Sequence, residues 1–311
     1  SLPRPQHVYT IGVKKLALTF LPDIPCAVLP IGFVRAEFEP AGLQMELPDP
    51  GPFFVREPLH HKYSAGSAAG VGGSRGMRGA MLLAGRSFFA CGGGILFTRA
   101  MDSELLPLEP SFVECDAKAI LNKSFRAILI GPGLDPLDLE RERESILELL
   151  RRHETSLRGV ILDAAAIALI KDDAFPQSLR EKTILTPHQG EFARMIGPAP
   201  DCAAKALEAT GIIAGLGVWC LCKGPTLCLM SPRGELHILP AALPALAVAG
   251  SGDVLGGILL AALSRDSSLH FAGRIRMALG LQHLLGRSGG HPLATELIDR
   301  IHRELAKVEI L

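Results

Sequence analysis

From residue 66 onward, short continuous apolar runs alternate with stretches of helical period, and this alternation restricts the fold more than any other feature. Residues 68–72, 94–98, 126–130, 159–162 and 182–185 read as strands. Strands that are apolar throughout are buried on both sides, and strands separated by helices pair in parallel. The pattern therefore predicts an α/β protein with a mainly parallel sheet covered by helices on both faces. Segment 136–152 is the clearest helix: Pro136 opens it, Asp138 and Glu140 lie early, and Arg151 and Arg152 lie late, which suits the dipole at both ends. Its residues Leu139, Ile146, Leu147, Leu149 and Leu150 are expected to face the sheet. After a strand at 218–222 the rhythm changes. Runs 226–230 and 235–239 flank Ser231-Pro232-Arg233-Gly234, a turn sequence, so the sheet is expected to gain an antiparallel hairpin edge. Residues 253–264, 269–287 and 293–307 read as closing helices.

The first sixty residues behave differently, with prolines dispersed through them. Segments 8–12 and 15–20 could be strands, no strong helix is evident, and 47–58 reads as a linker. The expected division is 1–58 and 59–311.

With 48% hydrophobic residues, 33 Gly and 23 Pro, the 311-residue chain is globular and rich in loops. Lys+Arg and Asp+Glu are both 32, so no global field draws it to nucleic acid or to an anionic membrane. Any phosphate recognition must be local. The run 243–263 raises the membrane question, but Asp253 and its glycines fit a buried loop and helix better than a span. No basic segment followed by an apolar one opens the chain, and cytoplasm is the expected location. The seven cysteines are odd in number, scattered and mostly in apolar stretches, which reads as reduced core thiols. Cys220 and Cys222 could share one face of a strand, but no Cys/His cluster with zinc spacing accompanies them.

Five glycine-bearing segments carry the candidate chemistry. In Gly250-Ser251-Gly252-Asp253 a glycine turn opens an apolar helix, presenting unpaired N–H groups and the positive end of a dipole, which suits phosphate. Asp253 there is either a general base on a hydroxyl facing a donor phosphate or an acidic residue of the first turn. The loop from Gly72 through Gly73, Ser74, Arg75, Gly76, Met77, Arg78 and Gly79 to Ala80 precedes helix 80–90; it is either a close backbone approach to a ligand or a tight turn. It has neither Rossmann nor Walker A spacing. Gly131-Pro132-Gly133-Leu134 admits the same two readings. In Thr186-Pro187-His188-Gln189-Gly190-Glu191, ahead of helix 192–196, Glu191 can close a capping box or hold a magnesium-bound water. Lys223, next to Gly224 at a strand end, is either a phosphate contact or a solvated hairpin lysine.

Taken in order, these segments, with 61–64, 160–164 and 249–257, resemble the ADP-dependent NAD(P)H-hydrate dehydratase family, which has the ribokinase-like fold. The likeness covers nearly everything from residue 60 to 265, and the Gly-Gly-Ser-Arg-Gly-Met and Thr-Pro-His-Gln-Gly-Glu-Phe-Ala-Arg segments are its specific parts. It implies a repair enzyme that phosphorylates the hydroxyl of hydrated NADH or NADPH from ADP or ATP with Mg²⁺, then eliminates phosphate to restore the ring. Asp253 would be the base. Gly73, Ser74, Arg75, Gly76, Met77, Ala80, Gly133, His188 and Asp253 would line the dinucleotide. Lys223, Gly224, Pro225, Thr226, Leu227, Gly250, Ser251 and Gly252 would hold the nucleotide, and Glu191 would act on the metal through water. Homo-oligomers, often tetramers, are the family's expected assembly. Residues 7–34 resemble the last part of the epimerase domain fused ahead of the dehydratase in bifunctional relatives. The epimerase centre would lie upstream of Ser1, so epimerase activity is not expected.

The chain departs from the family at Ala165 and Ala168, at Asp135, and in the apolar approach 241–248. Two other readings remain open: a ribokinase-like kinase for a small-molecule hydroxyl, or a member that binds nucleotide without turnover.

Overall fold

The computed structural model describes residues 8–11, 26–29, 43–44, 46–56, 58–101, 109–240 and 243–308. Its elements run β1 (Val8–Ile11), β2 (Cys26–Leu29), β3 (Leu43–Gln44), α1 (Gly51–Phe54), β4 (Ser67–Gly72), α2 (Arg78–Ala90), β5 (Ile95–Ala100) and β6 (Val113–Glu114). Next come α3 (Ala117–Ile120), β7 (Ala127–Ile130), α4 (Pro136–His153), β8 (Gly159–Leu162) and β9 (Thr183–Leu185), with 3₁₀ turns at Ala164–Lys171 and Gln177–Lys182. Then follow α5 (Gln189–Met195), α6 (Ala203–Leu216), β10 (Trp219–Cys222), β11 (Thr226–Met230) and β12 (Leu236–Pro240). A 3₁₀ turn at Pro244–Leu246 leads into α7 (Ser251–Ser264), α8 (Phe271–Arg287) and α9 (Ala294–Leu305). Contacts divide the chain into two compact units, one drawn from residues 47–186 and 243–311, the other from 1–46 and 187–242.

The larger unit holds a six-stranded parallel sheet in the order β9-β8-β7-β4-β5-β6, with Ala68 opposite Ala127, Ala127 opposite Gly159 and Val160 opposite Thr183. Every residue of β4, β7, β8 and β9 is buried. Successive strand residues point to opposite faces, so both faces are covered, as the apolar runs predict. Helix α7 is buried at every position from Val254 to Ser264, which identifies it as the central helix rather than a surface one. It packs on β7, β8 and α2. Helix α4 buries Leu139, Ile146, Leu147, Leu149 and Leu150, the face read from its period.

Segment 47–58, read as a linker, is instead built into the larger unit. Phe54 is buried, Arg265 Nη2 donates to the Val55 carbonyl at 3.2 Å, and Arg56 Nε donates to the Gly92 carbonyl at 2.9 Å. The apolar pair Phe53-Phe54 among the prolines supplies the anchor.

In the smaller unit β10, β11 and β12 form an antiparallel meander, with Cys222 opposite Cys228 and Thr226 opposite Pro240. The turn at 231–234 is closed by Ser231 N–H to the Glu235 carbonyl (2.9 Å) and by Gly234 at φ +82°. β12 pairs in parallel with β3, and β1 pairs in parallel with β2. Helix α6 ends at Gly217, whose φ of +68° is the left-handed stop that glycine supplies. Segment 15–20 lies outside the described residues.

Candidate active site

β4 lies between β5 and β7, so the chain leaves β4 toward one side and later returns to the other. The crevice beyond the carboxyl ends of β4 and β7 is thus a topological switch point, where open α/β sheets take ligands. The two glycine loops that follow these strands are joined there. Gly73 N–H donates to the Pro132 carbonyl (2.9 Å) and Ser74 N–H to the Gly133 carbonyl (2.7 Å). Ser74 Oγ accepts the Asp135 N–H at 2.9 Å, and Ser74 is 1% exposed, so this hydroxyl fastens one loop to the other. Gly133 has φ +61°, and a Cβ on it would overlap the Met77 carbonyl oxygen. Only backbone fits between these loops. Arg75, Gly76 and Met77 are exposed on the outer edge, with Gly73 buried beneath them and Ala80 half-buried in the first turn of α2. Asp135 caps α4 by accepting the Leu137 N–H at 2.8 Å, which is what an aspartate contributes at that position.

The next strand, β8, is followed at once by Asp163, which is buried and accepts the Thr186 hydroxyl at 2.7 Å. Ala164 follows with φ +48°, the one non-glycine residue with positive φ among the described residues. Such strain persists where surrounding contacts hold it, here Asp163 N–H to the Ile130 carbonyl (2.9 Å) and Ala166 N–H to the Asp163 carbonyl (3.1 Å). Ala165 is half-buried and Ala168 exposed.

Helix α7 starts at Gly250, whose φ is +89° and whose side is walled by Leu83 and Ala294. Its N-cap residue, being glycine, brings no side chain to cap this terminus. Ser251, Gly252 and Asp253 form its first turn and are all half-buried, which puts a carboxylate on the turn that carries the first N–H groups. Helix α7 is held against α2 by Ser87 Oγ, which donates to the Val254 carbonyl at 2.8 Å, and by Gly257, where a Cβ would overlap the Ala84 carbonyl. Leu243 and Leu246, from the apolar approach, pack on α8 at Gly286.

The smaller unit carries the remaining candidates. His188 caps α5: its Nδ1 accepts the N–H groups of Gly190 (3.0 Å) and Glu191 (3.2 Å), while Glu191 Oε2 accepts the His188 N–H at 2.9 Å. The capping box anticipated for Glu191 is present. His188 pairs with Lys223 as an isolated parallel bridge, Lys223 N–H donating to the Pro187 carbonyl at 2.7 Å. Gly224 lies against the Gln189 side chain; Lys223, Gly224 and Leu227 are half-buried, Pro225 is exposed and Thr226 buried. Beneath this turn burial pushes the Cys222 and Cys228 thiols up to about 12 and Cys220 well above its usual range, so all three are protonated at neutral pH.

The larger unit therefore gathers Gly73, Ser74, Arg75, Gly76, Met77, Ala80 and Gly133 at the switch point, and places Gly250, Ser251, Gly252 and Asp253 on a helix packed against α2. The smaller unit gathers His188, Glu191, Lys223 and Gly224. Sequence reasoning did not single out the Ser74–Asp135 fastening or the Asp163–Thr186 bond, because both depend on which strands become neighbours. A helix terminus opened by glycine, with a carboxylate in its first turn, can bind phosphate and accept a proton nearby.

A family model described as NAD(P)H-hydrate dehydratase matches residues 69–278. A bifunctional NAD(P)H-hydrate repair enzyme of Thermofilum pendens is 30% identical over 91% of this chain and 57% of its own length. A second, of Thermosynechococcus vestitus, is 34% identical over 69% of this chain and 44% of its own length, so the chain spans about half of these relatives. The ADP-dependent (S)-NAD(P)H-hydrate dehydratase of Bacillus subtilis is 34% identical over 67% of this chain and 76% of its own length. Among solved structures, a ribokinase-like superfamily protein of Enterococcus faecalis superposes with a TM-score of 0.69 at 21% identity, covering 87% of this chain and 97% of that one. The ADP/ATP-dependent NAD(P)H-hydrate dehydratase of B. subtilis, co-crystallized with ATP/Mg²⁺, gives 0.63 at 28% identity, covering 81% and 93%. The fold is the expected ribokinase-like α/β fold.

Proposed function

The chain belongs to the NAD(P)H-hydrate dehydratase family, and on that premise we propose that it restores hydrated NADH or NADPH to the reduced cofactor, using ADP or ATP as phosphoryl donor. The observation that carries this reading is the start of α7: a glycine N-cap at φ +89° with Asp253 in the first turn. Asp253 takes the proton of the ring hydroxyl as that oxygen attacks the terminal phosphate, and the amides of Ser251 and Gly252 hold the phosphate's charge. The C–O bond to the resulting phosphate then breaks, phosphate leaves, the adjacent ring carbon gives up a proton to water, and that electron pair restores the ring double bond. The switch-point loops, with Arg75 and Met77 outermost, receive the hydrated dinucleotide, and Lys223–Leu227 receive the donor.

Glu191 fits Mg²⁺ through water: Oε2 is committed to the cap, while Oε1, a hard oxygen donor, stands 3.5 Å from His188 Nε2. When bound, Mg²⁺ supplies charge neutralisation on the donor phosphates. The same reading takes the residues ahead of segment 47–58 as the tail of an epimerase domain, and the protein as a cytoplasmic homo-oligomer. No described helix is long and apolar enough to cross a membrane.

The test is incubation with hydrated NADH, Mg²⁺ and ADP or ATP, following the return of dihydronicotinamide absorbance. Turnover that needs nucleotide and falls about 10²–10⁴-fold in Asp253→Asn supports the assignment. A stable phosphorylated product without dehydration would replace it with a kinase, and nucleotide binding without turnover with a binding protein.

A further inference from the structure

Three neighbouring strands are each entered through a cation: Arg126 precedes β7, Arg158 precedes β8 and Lys182 precedes β9. Parallel pairing brings the amino ends of these strands together, at the end of the sheet opposite the glycine loops. With Ser156, and with Arg274 from α8, they line a cavity of about 490 Å³ in which no lining residue is acidic. The acidic neighbour is Asp266, paired with Arg126 and, at 2.6 Å, with Arg158. Four cations thus meet one carboxylate. The Arg126 guanidinium holds the Asp266 carboxyl down at about 2, so the pair is ionised across the neutral range. Arg274 is lowered first by burial and then by the charge of Arg158, with Asp266 opposing and Arg126 adding to the shift. Its N–H groups already serve backbone carbonyls of Arg265 (2.7 Å), Ser267 (2.7 Å) and Leu269 (3.0 Å), so it contributes charge rather than new hydrogen bonds. The side chains of Arg126 and Arg158 are about a third exposed and retain room to turn toward an incoming anion.

We propose that this cavity is a second anion site, separate from the switch-point crevice, and that it takes a small molecule bearing linked phosphate groups. Arg126 and Arg158 offer planar forks and Lys182 a point charge, a set that matches several phosphate oxygens spread over a few ångströms better than one carboxylate. Asp266 occupies two of these partners in the absence of ligand and competes with it.

The test is calorimetric titration of the whole protein with inorganic pyrophosphate, in the wild type and in Arg158→Gln/Lys182→Gln, Asp266→Asn and Lys223→Gln. The double variant is expected to weaken one binding component about tenfold or more, as the loss of charge-assisted bonds requires. Asp266→Asn is expected to tighten that component, a gain that a misfolded protein cannot show, and Lys223→Gln is expected to leave it in place. A pyrophosphate isotherm left unchanged by the double variant, binding that disappears entirely in Lys223→Gln alone, or binding absent throughout would overturn the proposal.

Discussion

Replacing Gly133 and Gly76 separately by alanine isolates what the seam between the switch-point loops requires. Both glycines lie in the left-handed region, at φ +61° and +82°, so each alanine incurs the same backbone cost of about 1–2 kcal/mol, less about 0.4–1 kcal/mol from a stiffer unfolded chain. Around Gly76 nothing lies within 4 Å of the added methyl. At Gly133 the methyl falls on the Met77 carbonyl, closer than the 3.0 Å that real Cβ atoms keep, and stands 3.1 Å from the Ala80 Cβ. Backbone cannot rotate out of the way, and Met77 is itself tied by its N–H to the Ser74 carbonyl at 2.8 Å. Overpacking of this kind adds about 1–3 kcal/mol. Gly133→Ala should therefore cost about 2–4 kcal/mol and Gly76→Ala about 1 kcal/mol, a difference of roughly 3–10 °C in Tm for a unit of this size. Urea unfolding, with the m-value checked for constancy, measures both. By displacing the 74–77 turn, Gly133→Ala should also raise KM for the hydrated dinucleotide without changing nucleotide affinity. If the two variants are destabilised equally, within about 0.5 kcal/mol, the steric argument is wrong.

Thiol chemistry and pH give two further tests. Cys202 is exposed, whereas Cys222 and Cys228 are held near 12 by burial, so at neutral pH a short alkylation pulse should mark Cys202 and leave the other two about a thousandfold slower; peptide mapping that finds Cys222 modified as fast as Cys202 would contradict the packing around β10 and β11. His153 is lowered by burial against Phe125, opposed by the Leu121 carbonyl and assisted by the charge of Arg152. The native state then favours the neutral ring, so its stabilisation is complete above the ordinary histidine value of about 6.5 and is lost as pH falls from there toward the lowered native value. The urea midpoint should drop between pH 7.5 and 5.5, and should drop less in His153→Phe; equal slopes would remove His153 from the explanation.

The parallel sheet was legible because its central strands are apolar at every residue, a pattern that survives into three dimensions without knowledge of partners. The hairpin was legible because Ser-Pro-Arg-Gly names its own turn. Helix α5 starts at Gln189, earlier than its period indicates, because a histidine ring nitrogen acts where Ser, Thr, Asp or Asn is the usual cap. Helix α6 went unread since its alanines, glycines and isoleucines draw no polar-to-apolar stripe. Asp135 stood out as a departure from the family and is accounted for locally, as the cap of α4. What local sequence does not contain is strand order. The switch point that unites Gly73 with Gly133, and the parallel register that sets Arg126, Arg158 and Lys182 side by side, follow from which strands become neighbours.

The contact between α2 and α7 has a mechanical consequence. One helix begins at the loop 72–80 and the other at Gly250, and at Gly257 and Ala84 their backbones touch with no side chain between them to compress. Two rods in that relation transmit displacement without slack, so the loop at the head of one cannot draw closer to the turn at the head of the other. The spacing between the two therefore behaves as a fixed gauge, set by backbone rather than by side chains that could repack.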